Sequence, residues 1–222
     1  MEVFFAIFLF LLLLFYNNKE YFQECSYGNI VLNKEQIQEL NELLQTFINF
    51  SIGNNVSYFL IGGSLLGLER NGGLLPFDDD IDIGVLMNDD NKIKNYKNDK
   101  YYFEEIGFGY KFKKKDSNIF IDIMVYENID GVYKIINNNW PIDYFKEDDL
   151  LPLKQGSYSN INVLVPNNYN DYLNRLYPEW DKKIKVDCGH YSEECIYDKY
   201  HIPKEFNVDY ENNKYMCYTK LS

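Results

Sequence analysis

The side chains best suited to chemistry are concentrated in one acidic run of the sequence. Asp78, Asp79, Asp80 and Asp82 place four carboxylates within five residues, and the chain then continues into the apolar residues 83–86. From Asp80 onward polar and apolar residues alternate, which predicts a strand with Asp80 and Asp82 on one face. Carboxylates held this close repel one another unless a cation lies between them. The run therefore indicates a metal site rather than a solvated acidic loop.

A further acidic residue strengthens this interpretation. Asp122 is the only charged residue in the apolar run 119–125, where an unpaired carboxylate would be costly to bury. Carboxylate oxygens suit Mg²⁺ or Mn²⁺, which bind them together with the phosphate oxygens of a substrate. We predict that Asp80, Asp82 and Asp122 hold such a metal and carry the catalysis. Phosphoryl transfer is the chemistry that this set favours.

A calcium loop of the EF-hand type would also use alternating aspartates, but the sequence disfavours it. Such a loop requires Gly at its sixth position and a bidentate Glu at its twelfth. Ile83 and Asp89 occupy those two positions here.

The second feature with chemical potential is the turn Gly62-Gly63-Ser64, which follows a short apolar run. Glycines allow the backbone to turn sharply and to approach a ligand closely, and a helix that starts here would offer free N–H groups to a phosphate. Taken alone, Gly62, Gly63 and Ser64 fit either a phosphate-binding turn or an ordinary turn. Arg70, one of two arginines in the chain, is a candidate phosphate contact or a surface ion-pair residue.

Hydrophobic periodicity predicts the elements that must position these residues. Asn33 can cap a helix whose apolar residues recur every three or four positions, and Gly53 to Asn55 would end it. A buried strand over 56–61 precedes the glycine turn, and a short helix from about Ser64 should end at Asn71. The segment 87–100 is polar and predicts a solvated helix or loop. Further strands are predicted over 101–113, 118–126, 132–136 and 161–165, with a helix over 167–176. The expected class is α+β.

Charge and composition exclude some functions. The formal net charge of −12 would repel nucleic-acid phosphates, so we expect no nucleic-acid partner. A hydrophobic content of 46% is enough for a packed core. An acidic protein that handles phosphates must obtain positive charge from metal ions.

The N-terminus carries a hydrophobic segment over residues 3–16. At about 1.5 Å per residue, a helix of this length is shorter than the bilayer core of about 30 Å. The segment fits a short signal anchor or the core of a signal peptide, and a buried helix is the third alternative. The expected location is a single-pass membrane protein of the secretory pathway, facing a Golgi- or ER-like lumen, or a secreted protein if the segment is cleaved.

In an oxidising lumen the four cysteines could form disulfides, and the sequence does not choose among the three pairings. A zinc site on Cys188, His190, Cys195 and His201 is the competing interpretation, but the spacing matches no standard zinc pattern. The cysteines are Cys25, Cys188, Cys195 and Cys217.

An ordered series of motifs resembles the signature of the LicD family. It consists of residues 61–67 (IGGSLLG), 70–73 (RNGG) and 76–83 (PFDDDIDI). Residues 121–123 resemble the second acidic strand of that family. Residues 130–133 and Trp140 resemble the segment that follows it in the catalytic domain of fukutin-related protein. Residues 151–153, 165–169 and 172–177 are similar to the closing segment.

The resemblance implies a nucleotidyltransferase-like mixed sheet with flanking helices, preceded here by the N-terminal hydrophobic helix. It implies a phosphotransferase that moves a phospho-alcohol, such as phosphocholine or ribitol phosphate, from a CDP-alcohol donor to a glycan or glycoprotein hydroxyl. By motif position, Asp80, Asp82 and Asp122 would form the metal site, and Gly62, Gly63 and Ser64 would hold the donor's phosphates. The resemblance also makes Asp78 either a metal ligand or a residue that supports the ligands, and Arg70 a candidate phosphate contact.

The expected organisation is a signal anchor or signal peptide over residues 1–20, a catalytic domain over 21–180 and a Cys-containing extension over 181–222. Two other functions remain open. The same fold and acidic triad would serve NTP-dependent nucleotidyl transfer. A degenerate, membrane-anchored module that binds a glycan or a partner would keep the fold without the reaction.

Overall fold

The structure, a computed structural model, describes residues 23–24, 31–138, 140–185, 205–207 and 216–217. The chain divides into two compact units, one of residues 27–180 and the other of residues 1–26 with 181–222. In the second unit the strand Gln23–Glu24 pairs with Met216–Cys217, and Lys183–Lys185 pairs with Glu205–Asn207, both antiparallel.

Several predictions concern residues outside the described ranges. They are the hydrophobic helix over residues 3–16 and the zinc or disulfide alternatives for Cys25, Cys188 and Cys195. Among the described residues, none of the helices has the length and apolar character needed to cross a bilayer.

The unit of residues 27–180 begins with helix α1, Lys34–Asn54. Its predicted start is confirmed, because the Asn33 side chain accepts from the N–H of Gln36 while the Gln36 side chain accepts from the N–H of Asn33. The helix ends at Asn55, which takes the left-handed conformation with φ 52°. The predicted apolar residues of α1, Leu40, Leu44, Phe47 and Ile48, are buried.

Seven strands form one curled mixed sheet in the described part of this unit. Strand β1 (Tyr58–Leu60) pairs with β2 (Asp82–Leu86), and β2 lies parallel to the long strand β5 (Phe120–Ile129). The hairpin of β3 (Tyr101–Ile106) and β4 (Gly109–Lys114) continues the sheet beyond β5. The far half of β5 pairs with β6 (Val132–Ile135), which pairs with β7 (Tyr144–Lys146).

The remaining elements connect or flank this sheet. Helix α2 (Gly62–Asn71) joins β1 to the acidic run. A 3₁₀ turn (Met87–Asp89) and helix α3 (Asp90–Lys94) follow β2, and a second 3₁₀ turn (Ile136–Asn138) follows β6. Helix α4 (Glu147–Leu150), the hairpin of β8 (Lys154–Tyr158) and β9 (Ile161–Val165), and helix α5 (Asn170–Leu176) complete the unit.

The two faces of β5 differ in how deeply their side chains are buried. Ile121, Ile123 and Val125 are fully buried, and helix α1 packs against strands β4 and β5. The Phe47 ring of α1 lies 6.0 Å from the Phe112 ring of β4, centroid to centroid. The alternate residues Phe120, Asp122 and Met124 are half-buried. The sheet therefore has one aromatic, fully packed face and one face that carries the acidic residues.

Several predicted boundaries were wrong, among them the end of β5, which runs to Ile129, and the start of α5, which is Asn170. The predicted strand 101–113 is a hairpin, because a turn after Ile106 leads into Gly109, where an added Cβ would lie 2.0 Å from the Ile123 carbonyl oxygen. Helix α2 begins at Gly62 rather than Ser64. Strand β2 begins at Asp82 rather than Asp80, although the Ile81 carbonyl still accepts from the Asp122 N–H at 2.9 Å. Strands β7 and β8 were not predicted.

Candidate metal centre

The structure brings the three predicted metal ligands together. Asp82 and Asp122 are direct partners in the parallel pairing of β2 and β5, and Asp80 precedes β2 by two residues. One carboxylate oxygen from each of Asp80, Asp82 and Asp122 lies within 4.8 Å of the other two. We call these three residues the acidic cluster. Asp78 and Asp79 form a second such group with Asp80.

The acidic cluster is electrostatically unfavourable without a cation. Burial raises the pKa of Asp80 to about 10, and the charges of Asp82, Asp78 and Asp122 add to the effect. The pKa of Asp82 is raised well above its ordinary value by desolvation first, and then by Asp78 and Asp122. At neutral pH these carboxyl groups therefore retain protons or bind a cation in their place.

Two contacts partly compensate the charge. The ammonium of Lys111, on strand β4, lies 2.8 Å from Asp122 Oδ1. The backbone N–H of Gly63 donates to Asp82 Oδ2 at 3.1 Å. The second contact places Asp82 at the N-terminus of α2, where the helix dipole favours a negative charge.

The glycines of the predicted phosphate turn allow this approach of backbone and carboxylate. Gly62 has φ +51°, and a Cβ added there would lie 2.9 Å from Asp82 Oδ2. At Gly63 an added Cβ would lie 2.8 Å from Asp78 Oδ2. The positive φ favours glycine at position 62, and a side chain at either position would have to displace a carboxylate of the acidic residues. A phosphate contact from this turn stays a prediction.

Ser64 makes a different contact from the predicted one. Its side chain is only 1% exposed, and its Oγ accepts from the Asp82 backbone N–H at 2.7 Å. This bond ties α2 to the first residue of β2. A donor phosphate would find the Ser64 hydroxyl buried, so in this structure Ser64 positions Asp82.

Arg70 lies in the last turn of α2, eight residues beyond Gly62, which corresponds to about 12 Å along a helix axis. Its Nε and Nη2 donate to the Trp180 carbonyl oxygen at 3.1 and 2.7 Å. The guanidinium thereby fixes the end of the unit against α2. Its predicted contact with a donor phosphate stays a prediction.

Sequence reasoning missed a buried carboxylate behind the glycine turn. Asp143 is 8% exposed and accepts hydrogen bonds from the Tyr126 and Tyr172 hydroxyls, the latter at 3.2 Å. The Tyr172 oxygen in turn accepts from the Gly62 N–H at 3.0 Å. Burial raises the pKa of Asp143 to about 6, and the two hydroxyls oppose that rise.

Arg175 holds this network in place from helix α5. Its guanidinium donates to the carbonyl oxygens of Ile142 and Tyr144, on either side of Asp143, and lies over the Tyr144 ring. Helix α5 thus connects the Asp143 segment to the turn that precedes α2. Lys111 was also missed, although the alternation of strand residues could have placed it beside Asp122 once the β4–β5 pairing was known.

A divalent cation fits the acidic cluster. The donors are carboxylate oxygens of β5, of β2 and of the residue two positions before β2, and they carry more negative charge than one lysine can neutralise. Burial and the neighbouring carboxylates raise the pKa of Asp80 to about 10, which a bound cation would oppose. Hard oxygen donors of this kind suit Mg²⁺ or Mn²⁺ better than zinc, which favours nitrogen and sulfur.

A comparison with protein families supports the resemblance seen in the sequence. A family model described as "LicD/FKTN/FKRP, nucleotidyltransferase domain" matches residues 55–168, slightly more than half of the chain. The matched range contains the glycine turn, the acidic cluster, Lys111 and Asp143, whereas helix α5 lies beyond it.

Curated relatives include an uncharacterised protein of Rickettsia typhi, 30% identical over 167 residues that cover 72% of this chain and 52% of that protein. An uncharacterised protein of Rickettsia prowazekii is 29% identical over 183 residues, which cover 72% of this chain and 66% of that protein. The ribitol 5-phosphate transferase FKRP of Mus musculus is 24% identical over 154 residues, covering 62% and 31%. The chain thus spans about a third to two thirds of these relatives.

Solved structures with a similar arrangement are more distant. The antibiotic-resistance factor ANT(2'')-Ia is 15% identical with a TM-score of 0.41, covering 64% of this chain and 76% of that one. The lincosamide antibiotic adenylyltransferase LnuA is 19% identical with a TM-score of 0.40, covering 57% and 79%. Similarity at this level does not bear on the reaction.

Proposed function

The chain belongs to the LicD/FKTN/FKRP nucleotidyltransferase-domain family, and from this we propose that it is a metal-dependent phosphotransferase. It would move a phosphorylated alcohol, such as ribitol phosphate or phosphocholine, from a CDP-activated donor to a glycan hydroxyl. Family membership supports a transferase. The donor, the metal and the acceptor are the content of the proposal.

The observation that carries the proposal is the acidic cluster beside the N-terminus of α2. Three carboxylates within 4.8 Å of one another would hold Mg²⁺ or Mn²⁺ through Asp80, Asp82 and Asp122, with Asp78 close to Gly63 as a further ligand. When bound, the metal would neutralise the phosphate charges of the donor. Burying carboxylates this close together costs free energy. A bound metal would offset that cost in this part of the structure.

The residues around the acidic cluster support the reaction by holding its members in place. Ser64 and Gly63 bond to the backbone and side chain of Asp82, and β2–β5 pairing sets Asp122 beside it. Carboxylate oxygens that do not hold the metal are available to accept the proton of the attacking hydroxyl.

In the proposed step, the acceptor hydroxyl oxygen forms a bond to the phosphorus that carries the alcohol. The bond between that phosphorus and the oxygen of the CMP phosphate breaks. CMP leaves with the electron pair, and the hydroxyl proton passes to a carboxylate of the acidic cluster. The products are CMP and a glycan that carries the alcohol phosphate.

The test is CMP release from CDP-ribitol and CDP-choline by the full chain, with Mn²⁺ or Mg²⁺ and a panel of glycan acceptors. The proposal expects release that requires both metal and acceptor and that stops on addition of EDTA. Pyrophosphate release from an NTP, with no CMP from either CDP-alcohol, would replace it with nucleotidyl transfer. Failure of the folded protein to use or bind any nucleotide would leave the non-catalytic binding module.

We further propose that the acceptor is met in the secretory pathway, with residues 1–20 as a membrane anchor or a cleaved signal. The support is the apolar run over residues 3–16. Expression of the full chain in cells, followed by alkaline extraction and protease protection, tests this placement. A protein that is released by alkali and is open to protease in intact microsomes would contradict both forms of it.

A further inference from the structure

Lys111 is the one lysine or arginine that forms an ion pair with the acidic cluster in the described part of the chain. It lies on β4, directly opposite Asp122 of β5 in the antiparallel register. Its ammonium is 2.8 Å from Asp122 Oδ1, and the two side chains are 26% and 14% exposed. The ion pair is therefore partly shielded from water but remains open to a ligand.

An aromatic ring lies against the Lys111 ammonium. Its ammonium lies 3.5 Å from the centre of the Phe120 ring. Phe120 precedes Asp122 by two residues, so the ring and the carboxylate lie on the same face of β5. A cation over an aromatic face is attracted by the ring, while the aliphatic part of the side chain packs as an apolar group. Lys111 thus keeps its charge at the edge of the acidic cluster without depending on Asp122 alone.

A metal bound at the acidic cluster would change the charge interactions of Asp122. The metal and the ammonium would share one carboxylate, and the two positive charges would repel each other. Lysine is a flexible point charge that commonly binds phosphate. A donor phosphate brought by the metal offers the ammonium a new negative partner at the same place.

We infer that Lys111 is a substrate-binding residue of this site, which exchanges Asp122 for a phosphate of the donor when the metal binds. This inference rests on the proposed function, because it requires a metal and a phosphorylated donor at the acidic cluster. It predicts opposite effects of Lys111 on the two ligands. The ammonium competes with the metal and assists the phosphate.

Strand β4 supplies a matched control. Lys113 lies two residues further on the same strand, and its ammonium is 2.5 Å from Glu104 Oε2. The Lys113 side chain is 21% exposed, close to the 26% of Lys111. Lys113→Met removes the same charge and the same kind of ion pair, but at a position that pairs with Glu104 rather than with the acidic cluster.

The experiment measures two affinities on the full chain by calorimetry: that of Mn²⁺ alone, and that of CDP for the Mn²⁺-loaded protein. We expect Lys111→Met to bind Mn²⁺ about threefold to tenfold more tightly and CDP about tenfold more weakly. Lys111→Arg should recover most of the CDP affinity. Lys113→Met should change neither constant by more than about twofold. Lys111→Gln is a second neutral variant, should the methionine variant fold poorly.

Two results would overturn the inference alone, with the proposed function intact. One is that the Lys111 variants bind both ligands as the Lys113 variant does. The other is that they lose affinity for Mn²⁺ and CDP together, which would mark Lys111 as a structural ion pair. A wild-type protein that binds neither Mn²⁺ nor CDP would overturn the proposed function, and the inference with it.

Discussion

Asp143 and the acidic cluster both place carboxyl groups inside the same unit, but they meet different partners there. Asp143 receives two tyrosine hydroxyls, and its pKa is raised only to about 6. Asp80 shares its space with other carboxyl groups, and its pKa is raised to about 10. The first arrangement is satisfied by neutral donors that belong to the fold. The acidic cluster would be satisfied by a cation.

On the proposed function, this difference separates a buried carboxylate that serves the fold from carboxylates that serve the reaction. A buried carboxylate that serves the fold recruits hydrogen bonds, as Asp143 does from β5 and α5. Carboxylates that serve a reaction are crowded together at a cost to the metal-free protein, and a ligand recovers that cost. In this protein the two kinds lie on either side of the same turn, because Tyr172 and Asp82 contact the neighbouring N–H groups of Gly62 and Gly63.

The largest expected effect is on turnover. Asp82→Asn should lower metal-dependent CMP release by about a thousandfold, or about 4 kcal/mol in the activation barrier, since it weakens the site that neutralises the donor phosphates. The same change should leave the metal-free melting temperature equal or higher, because it removes repulsion. Asp99→Asn, which alters an exposed carboxylate, is the control for the charge change. Loss of both activity and metal-free stability would place Asp82 with Asp143 as a structural acid.

The pH dependence of stability sharpens the comparison. Asp143 has a folded pKa of about 6, above the ordinary value of 3.8, so the native state holds its proton longer than the unfolded state. Its contribution to stability is full below about pH 4 and is lost as the pH rises through about 6, with an upper limit of about 3 kcal/mol. Urea unfolding in EDTA, from pH 4 to 8, should show a steeper loss of stability in the wild type than in Asp143→Asn, which keeps the slope that Asp80 and Asp82 contribute. Identical profiles would contradict the assignment.

The glycine turn is the point where the two regions meet, and it should tolerate no side chain. Gly63→Ala should lower the free energy of unfolding by about 1–3 kcal/mol, because its Cβ would lie 2.8 Å from Asp78 Oδ2. Gly53→Ala is the matched control, since no atom lies within 4 Å of an added Cβ in α1. The control should gain about 0.5–1 kcal/mol from helix propensity. Equal effects in chemical denaturation would argue against a crowded turn.

The smallest effect is expected for the tyrosine that links the two regions. Tyr172→Phe removes one hydroxyl from Asp143 and the acceptor of the Gly62 N–H, at a cost of about 1–2 kcal/mol. Tyr102→Phe, at an exposed position, should stay within about 0.5 kcal/mol of the wild type. If Tyr172→Phe leaves the free energy of unfolding unchanged, Asp143 and the glycine turn are energetically independent.

The acidic cluster could be predicted from sequence because its pattern is local. Alternation around Asp82 and the lone charge in an apolar run at Asp122 require no knowledge of distant residues, and the family resemblance supplied the pairing. Helix α1 was predictable for the same reason, through Asn33 and its apolar stripe.

Asp143 could not be predicted, because its partners lie 17 and 29 residues away and nothing in its own segment signals burial. Its neighbour Ile142 is 53% exposed, so the segment resembles a surface loop. The hairpin of β3 and β4 was missed although Gly107 and Gly109 mark its turn in the sequence. There the close approach of Gly109 to β5, a tertiary contact, decides the break.

The most direct test of the central claim is a crystal of the full chain soaked with Mn²⁺, with anomalous scattering recorded near the manganese edge. The account predicts a peak bounded by the carboxylates of Asp80, Asp82 and Asp122, with none at Asp143. A peak at Asp143, or a fully ordered acidic cluster without a peak at saturating Mn²⁺, would contradict it.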